Sequence, residues 1–94
     1  MFIQVIQGRT SDPEALHRRL DVWERDLRPG AIGYLGSAGG CTADGSFIMA
    51  VRFTDRDAAM RNGARKEQGE WWSATEKCLD GPAAVHDTED VHVM

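Results

Sequence analysis

The chain has 94 residues, of which 41% are hydrophobic and 28% charged, and its formal net charge is −4. That length makes one domain, residues 1–94, and the balance of apolar and charged residues excludes a disordered chain. The acidic balance works against a nucleic-acid or anionic-membrane partner, because either calls for a basic surface. In chain order, Phe2 to Gln7 reads as a first strand, closed by Gly8 and Thr10-Ser11-Asp12. Met1-Phe2-Ile3-Gln4-Val5 has neither the basic start nor the cleavage site of a signal peptide. No apolar run approaches the roughly 18–20 residues that span a bilayer. A cytoplasmic protein is expected.

Asp12-Pro13-Glu14 begins a helix with an N-cap, a proline at the first helical position and an acid in the first turn. Leu16, Leu20, Trp23 and Leu27 then fall on one stripe, and Pro29-Gly30 stops the helix. Ile32 to Thr42 reads as a second strand, loosened by Gly33, Gly36, Gly39 and Gly40, and Ala43-Asp44-Gly45 supplies a hairpin turn. In the third strand, Ser46 to Phe53, one face carries Phe47, Met49, Val51 and Phe53, and the other Ile48, Ala50 and Arg52. Thr54-Asp55 caps a short helix that Asn62-Gly63 breaks. A second helical piece runs from near Glu67 to Leu79, with Trp71, Trp72, Ala74, Thr75, Cys78 and Leu79 on one arc. Asp80-Gly81-Pro82 ends it, and Ala83 to Met94 is expected to be a long polar last strand.

The order β-α-β, hairpin, β-α-β with right-handed crossovers gives a ferredoxin-like α+β fold. It has a four-stranded antiparallel sheet and helices on one face. Phe2, Tyr34, Ile48 and Ala50 are expected to make the other face partly apolar, and such a face binds a ligand or a second copy.

The element order, the Pro29-Gly30-Ala31-Ile32-Gly33-Tyr34-Leu35 passage into the second strand and the broken helix with Trp71-Trp72 together resemble the dimeric α/β-barrel superfamily. That group includes antibiotic-biosynthesis monooxygenase-like domains. The resemblance covers nearly the whole chain. It implies a homodimer whose two sheets pack face to face into a barrel, with a pocket between sheet and helices or at the subunit boundary. It does not imply one chemistry, since members include cofactor-independent oxygenases, haem-degrading enzymes, isomerases, dehydratases and domains without known activity.

Candidate site residues follow from the strand and helix faces. His86, Thr88, Asp90 and His92 alternate along the expected last strand. At ~3.3 Å per residue His86 and His92 stand roughly 20 Å apart, too far to share a metal ion. Asp90 and His92 would need a third ligand from elsewhere, and a solvent-facing edge strand accounts for them as well. No metal site and no cofactor are therefore expected. Trp71 and Trp72 either wall an aromatic pocket or belong to the core. Arg52 either anchors an anionic group or ends its strand in water. Gln4 and Tyr34 are hydrogen-bonding candidates for a ligand, and the barrel rim suits them equally. His17 reads as a surface residue. Cys41 and Cys78, far apart and without ligand-spaced neighbours, read as free thiols.

Three functions fit these residues. One is an oxygenase-like enzyme acting on a small aromatic or polyketide-type molecule, in which His86 would be the proton acceptor and Arg52 an anchor. A second is a non-catalytic dimer that holds a small apolar ligand or none. A third, an RNA-recognition module, shares the element order, but the acidic charge counts against it.

Overall fold

A computed structural model describes all residues, 1–94. The strands are β1 (Phe2–Arg9), β2 (Tyr34–Cys41), β3 (Ser46–Phe53) and β4 (Ala84–Thr88), and the helices are α1 (Pro13–Val22), α2 (Arg56–Gly63) and α3 (Lys66–Glu76). The sheet order is β2-β3-β1-β4 and every neighbouring pair is antiparallel. This is the ferredoxin-like α+β arrangement expected from the order of elements.

Local chemistry fixes the helix starts. The Asp12 carboxylate accepts from the Ala15 N–H at 3.1 Å, with Pro13 at the first helical position. The Asp55 carboxylate does the same for Ala58 at 2.7 Å. Each satisfies a backbone donor that the first helical turn leaves without a partner. The helix expected to continue to Leu27 changes its winding. Trp23–Leu27 forms a π-helical turn and Arg28–Gly30 a 3-10 turn. Leu16 and Leu27 of the apolar stripe are buried, while Leu20 and Trp23 remain half-exposed.

Two expectations are corrected. The last strand stops at Thr88 and does not reach Met94. Its partner β1 starts at Phe2, and Ile3 already pairs with Thr88, so little backbone remains beyond for pairing. The Thr88 hydroxyl also accepts from the Asp90 N–H at 3.1 Å and turns the chain. Asp90 and His92 therefore lie past the strand.

The second correction concerns sheet faces. Phe2 and Tyr34 both pair with Phe53, which is buried, and directly opposed residues project to the same side. Both rings thus face the helices. The bare face carries Ile3, Val5, Ile48, Ala50 and Ala38, together with Arg52 and His86.

The core divides into two clusters under the helices. Phe2, Phe53, Ala58 and Ala59 form one, against which Tyr34 and Val51 pack. Leu16, Phe47 and Leu79 form the other, extended by Ile6, Leu20, Met49, Trp72 and both cysteines. Glycines let β2 and the residue before it lie close against β3 and α2. Gly33 has φ +84°, and a Cβ there would lie 2.6 Å from Ala58 Cβ. At Gly39 a Cβ would fall 2.7 Å from Met49 Cα and closer still to the Ile48 carbonyl oxygen. Backbone atoms cannot swing aside as a side chain can. Gly39→Ala should therefore lower stability by about 1–3 kcal/mol, the usual cost of overpacking. Urea unfolding checks it, and an unchanged midpoint would show that β2 and β3 separate freely.

Candidate functional site

Between the two core clusters the helices and sheet do not close. They leave a cavity of about 350 Å³ that opens to solvent along one side. The strand register explains the gap row by row. On the helix side of the sheet, Phe2, Phe53 and Tyr34 make a row of three rings. The next row is Gln4, Val51 and Ser37, and the one after it Ile6, Met49 and Gly39. On β2 these two rows offer only a hydroxymethyl group and a hydrogen atom, so no side chain fills the space above them. Phe47 and Cys41 then close the far end.

Aromatic rings supply much of the wall. Trp23 meets Tyr34 edge to face with centroids 4.8 Å apart, and Tyr34 meets Phe53 at 5.8 Å. Arg28 covers the outer face of this group, its guanidinium carbon 5.4 Å from the Tyr34 centroid. From α3, Trp71 and Trp72 enter together with centroids 6.2 Å apart. Two of the three indole N–H groups have internal partners. Trp71 donates to the Arg19 carbonyl at 2.7 Å, and Trp23 donates to Gln68 Oε1 at 2.7 Å. Both rings are thereby fixed to a neighbouring helix, which makes the walls stiff.

Asp21 and Glu24 are the carboxylates of the lining. Carboxyl groups held below their ordinary range lie elsewhere: Asp26 by the hydrogen bond from Arg25, and Asp44 by those from the Thr42 hydroxyl and the Ser46 backbone. No group of three or more His, Cys, Asp or Glu side chains is arranged to hold a metal ion. No helix is long and apolar enough to cross a membrane.

Of the residues singled out in the sequence, Gln4, Tyr34, Trp71 and Trp72 line this cavity together. Arg52 and His86 do not. They lie on the opposite face of the sheet, in register with Ile3 and Val5. Arg52 reaches over the β2 bulge, where its Nη2 donates to the Leu35 carbonyl at 3.4 Å. Sequence patterns missed Trp23, Ser37, Asn62 and Gln68 as lining residues. Trp23 was hidden in an apolar stripe that also fits a core. The run of small residues in β2 was the one signal of an unfilled layer.

The site defines a class: a ferredoxin-like α+β domain with an aromatic-walled cavity between sheet and helices. No protein-family model matches the sequence, and no curated protein matches it. Solved structures do. A monooxygenase from the ActVA-Orf6 gene of Streptomyces coelicolor, solved with the ligand Nanaomycin D, has a TM-score of 0.78 at 17% identity, covering 99% of this chain and 89% of its own. An antibiotic biosynthesis monooxygenase gives 0.71 at 16% identity, with 98% and 100% covered. NE2512 of Nitrosomonas europaea, a protein of unknown function, gives 0.78 at 12% identity, with 99% and 91% covered. The chain thus has the fold of antibiotic-biosynthesis monooxygenase-like domains.

Trp72 packs on the Leu16–Phe47–Leu79 cluster while it lines the cavity. Trp72→Ala should destabilise the protein by about 1.5–3 kcal/mol, since the half-buried ring gives up only part of its contacts and sits beside existing free space. Chemical unfolding measures this, and a cost near zero would mean that the ring carries no packing.

Proposed function

We propose that the protein is a monooxygenase-like enzyme that takes a small, flat aromatic or polyketide-type molecule into this cavity and works as a homodimer. The cavity itself carries the reading: four aromatic side chains from β2, α3 and the helix after α1 surround a space of about 350 Å³. Ligand pockets start at roughly 300 Å³, and flat rings stack or meet edge to face on such walls. The same fold holds Nanaomycin D in the Streptomyces protein.

In a cofactor-independent form of the reaction, a hydroxyarene loses its hydroxyl proton and donates electrons to dioxygen. One oxygen atom bonds to a ring carbon. The other leaves as water, taking up two hydrogens, and a quinone remains. Asp21 and Glu24 are the carboxylates at the cavity; Glu24 is already paired with the Arg28 guanidinium, which leaves Asp21 to receive a proton. His17, His86 and His92 do not line it, which favours the second reading, a non-catalytic dimer that holds the molecule without converting it.

The measurement is oxygen uptake with an anthrol-type substrate, alongside quenching of the cavity tryptophans. The enzyme reading expects uptake, quinone formation and loss of both in Ser37→Leu, which extends a side chain into the empty layer. Quenching without uptake supports the binding dimer. Neither signal would overturn both readings.

The dimer rests on the bare sheet face. Ile48 is 45% exposed there and stands among Ile3, Val5, Ala38 and Ala50. In a face-to-face pair, His86 and Arg52 would turn toward the partner sheet rather than the ligand. A cytoplasmic, reducing setting suits the free thiols of Cys41 and Cys78. Sedimentation should give a particle of twice 10.4 kDa. Ile48→Glu should reduce it to one chain, because taking a carboxylate out of water among Ile3, Val5, Ala38 and Ala50 is costly. A wild-type monomer at micromolar concentration sinks the dimer.

A further inference from the structure

Three carboxamide side chains line the cavity, and each already has one end engaged. Gln4 Nε2 donates to Asp87 Oδ1 at 3.1 Å, across the β1–β4 pair that sets the two residues opposite each other. An ionised carboxylate only accepts hydrogen bonds. It therefore draws the amide NH2 toward itself and leaves Gln4 Oε1 unengaged. Gln68 is turned the other way. Its Oε1 takes the Trp23 indole N–H at 2.7 Å, and an indole nitrogen only donates. Asn62 follows Gln68: its Oδ1 accepts from Arg65 Nη1 at 2.9 Å, and a guanidinium has no acceptor. Asn62 is buried, with 8% of its surface exposed.

Each partner has a single hydrogen-bonding role, so the amide directions follow from chemistry alone and not from a choice between look-alike atoms. Gln4 Oε1 on the sheet side, and the NH2 groups of Gln68 and Asn62 on the helix side, have no protein partner. In this open cavity those groups are left to water, and a ligand atom of matching polarity replaces that water with a directional hydrogen bond, whereas a mismatched atom displaces it without replacement.

We infer that the cavity reads the polarity of its ligand: a hydroxyl directed at Gln4 on the sheet, and a ketone or quinone-type oxygen directed at Asn62 and Gln68 on the helices. Asp87 is the positioning residue that makes Gln4 an acceptor. This rests on the reading that the cavity takes a flat aromatic molecule, and it narrows the class to hydroxyaryl ketones and hydroxyquinones. A plain quinone meets Gln4 oxygen to oxygen, and a hydrocarbon leaves all three amides unpaired.

Three probes test it: a hydroxytetralone with hydroxyl and ketone at opposite ends of its two rings, its methyl ether, and the parent tetralone. Binding is followed by tryptophan quenching in the intact protein. The hydroxytetralone should bind at least about tenfold more tightly than the ether, the ratio that one well-made hydrogen bond supplies. In Asp87→Asn the new amide can donate as well as accept, so Gln4 is released from its fixed direction. The preference should then fall below about threefold, while affinity for the parent tetralone and the thermal midpoint stay near wild type. Gln4→Leu should likewise abolish the preference. Equal binding of all three probes by the wild type overturns the polarity and leaves the cavity reading intact. Binding of none overturns both. A preference that survives Asp87→Asn removes Asp87 from the role.

Discussion

The antiparallel register of β1 against β3 governs the rest of the molecule. It sets Phe2 beside Phe53 and Ile6 beside Met49, and so assigns every second residue of the two central strands to the helix side. A slip of β1 by one residue would send Phe2 to the bare face and bring Ile3 under the helices beside Phe53. Burial forbids that, since Phe2 is 0% and Phe53 2% exposed. The same register then dictates where the core is full and where it is empty. Rings fill the row at one end, Phe47 and its neighbours fill the other, and β2 contributes nothing bulky to the two rows between.

A void of this kind costs stability, because its lining loses contacts that a filled core would make. The surrounding structure limits that cost by anchoring the walls elsewhere. Trp23 is tied to α3 through Gln68, and Trp71 to α1 through Arg19. Arg65 bonds both the Leu27 carbonyl and Asn62, which joins the end of the first helical stretch to the α2–α3 junction. The Trp23 and Trp71 walls are thus anchored through indole N–H groups that are already committed. Such walls resist collapse into the space, so it remains available to a guest.

Most of the fold was legible in the sequence because its signals are local. Asp12-Pro13, Asp55 and Asp44-Gly45 mark element boundaries through capping and turn chemistry, and the structure uses all three. The alternation in β3 gave its buried face correctly. The faces of β1 and the extent of β4 were less readable. Phe2-Ile3-Gln4-Val5-Ile6 is apolar on both sides, so its pattern does not say which side meets the helices. The end of β4 depends on where β1 begins, a non-local fact that the run Glu89 to Met94 does not contain. His86 shares this limitation, since its face follows from a pairing partner far away in sequence, Val5. Arg52 lies on the β3 face that the alternation already set opposite the buried row.

The candidate site shows why composition alone could not reveal it. Asn62, Gln68 and Gln4 are ordinary surface residue types, and nothing in their spacing marks them. They acquire meaning when each meets a partner of one hydrogen-bonding character: a carboxylate, an indole or a guanidinium. A lone amide can turn either way and reads nothing. Once its direction is fixed, it distinguishes a hydroxyl from an ether or a carbonyl, because only one of these complements it. Aromatic walls supply affinity for any flat molecule of the right size, and they discriminate weakly among such molecules. In the proposed reading the amides add the discrimination, through side chains that the shared fold does not specify.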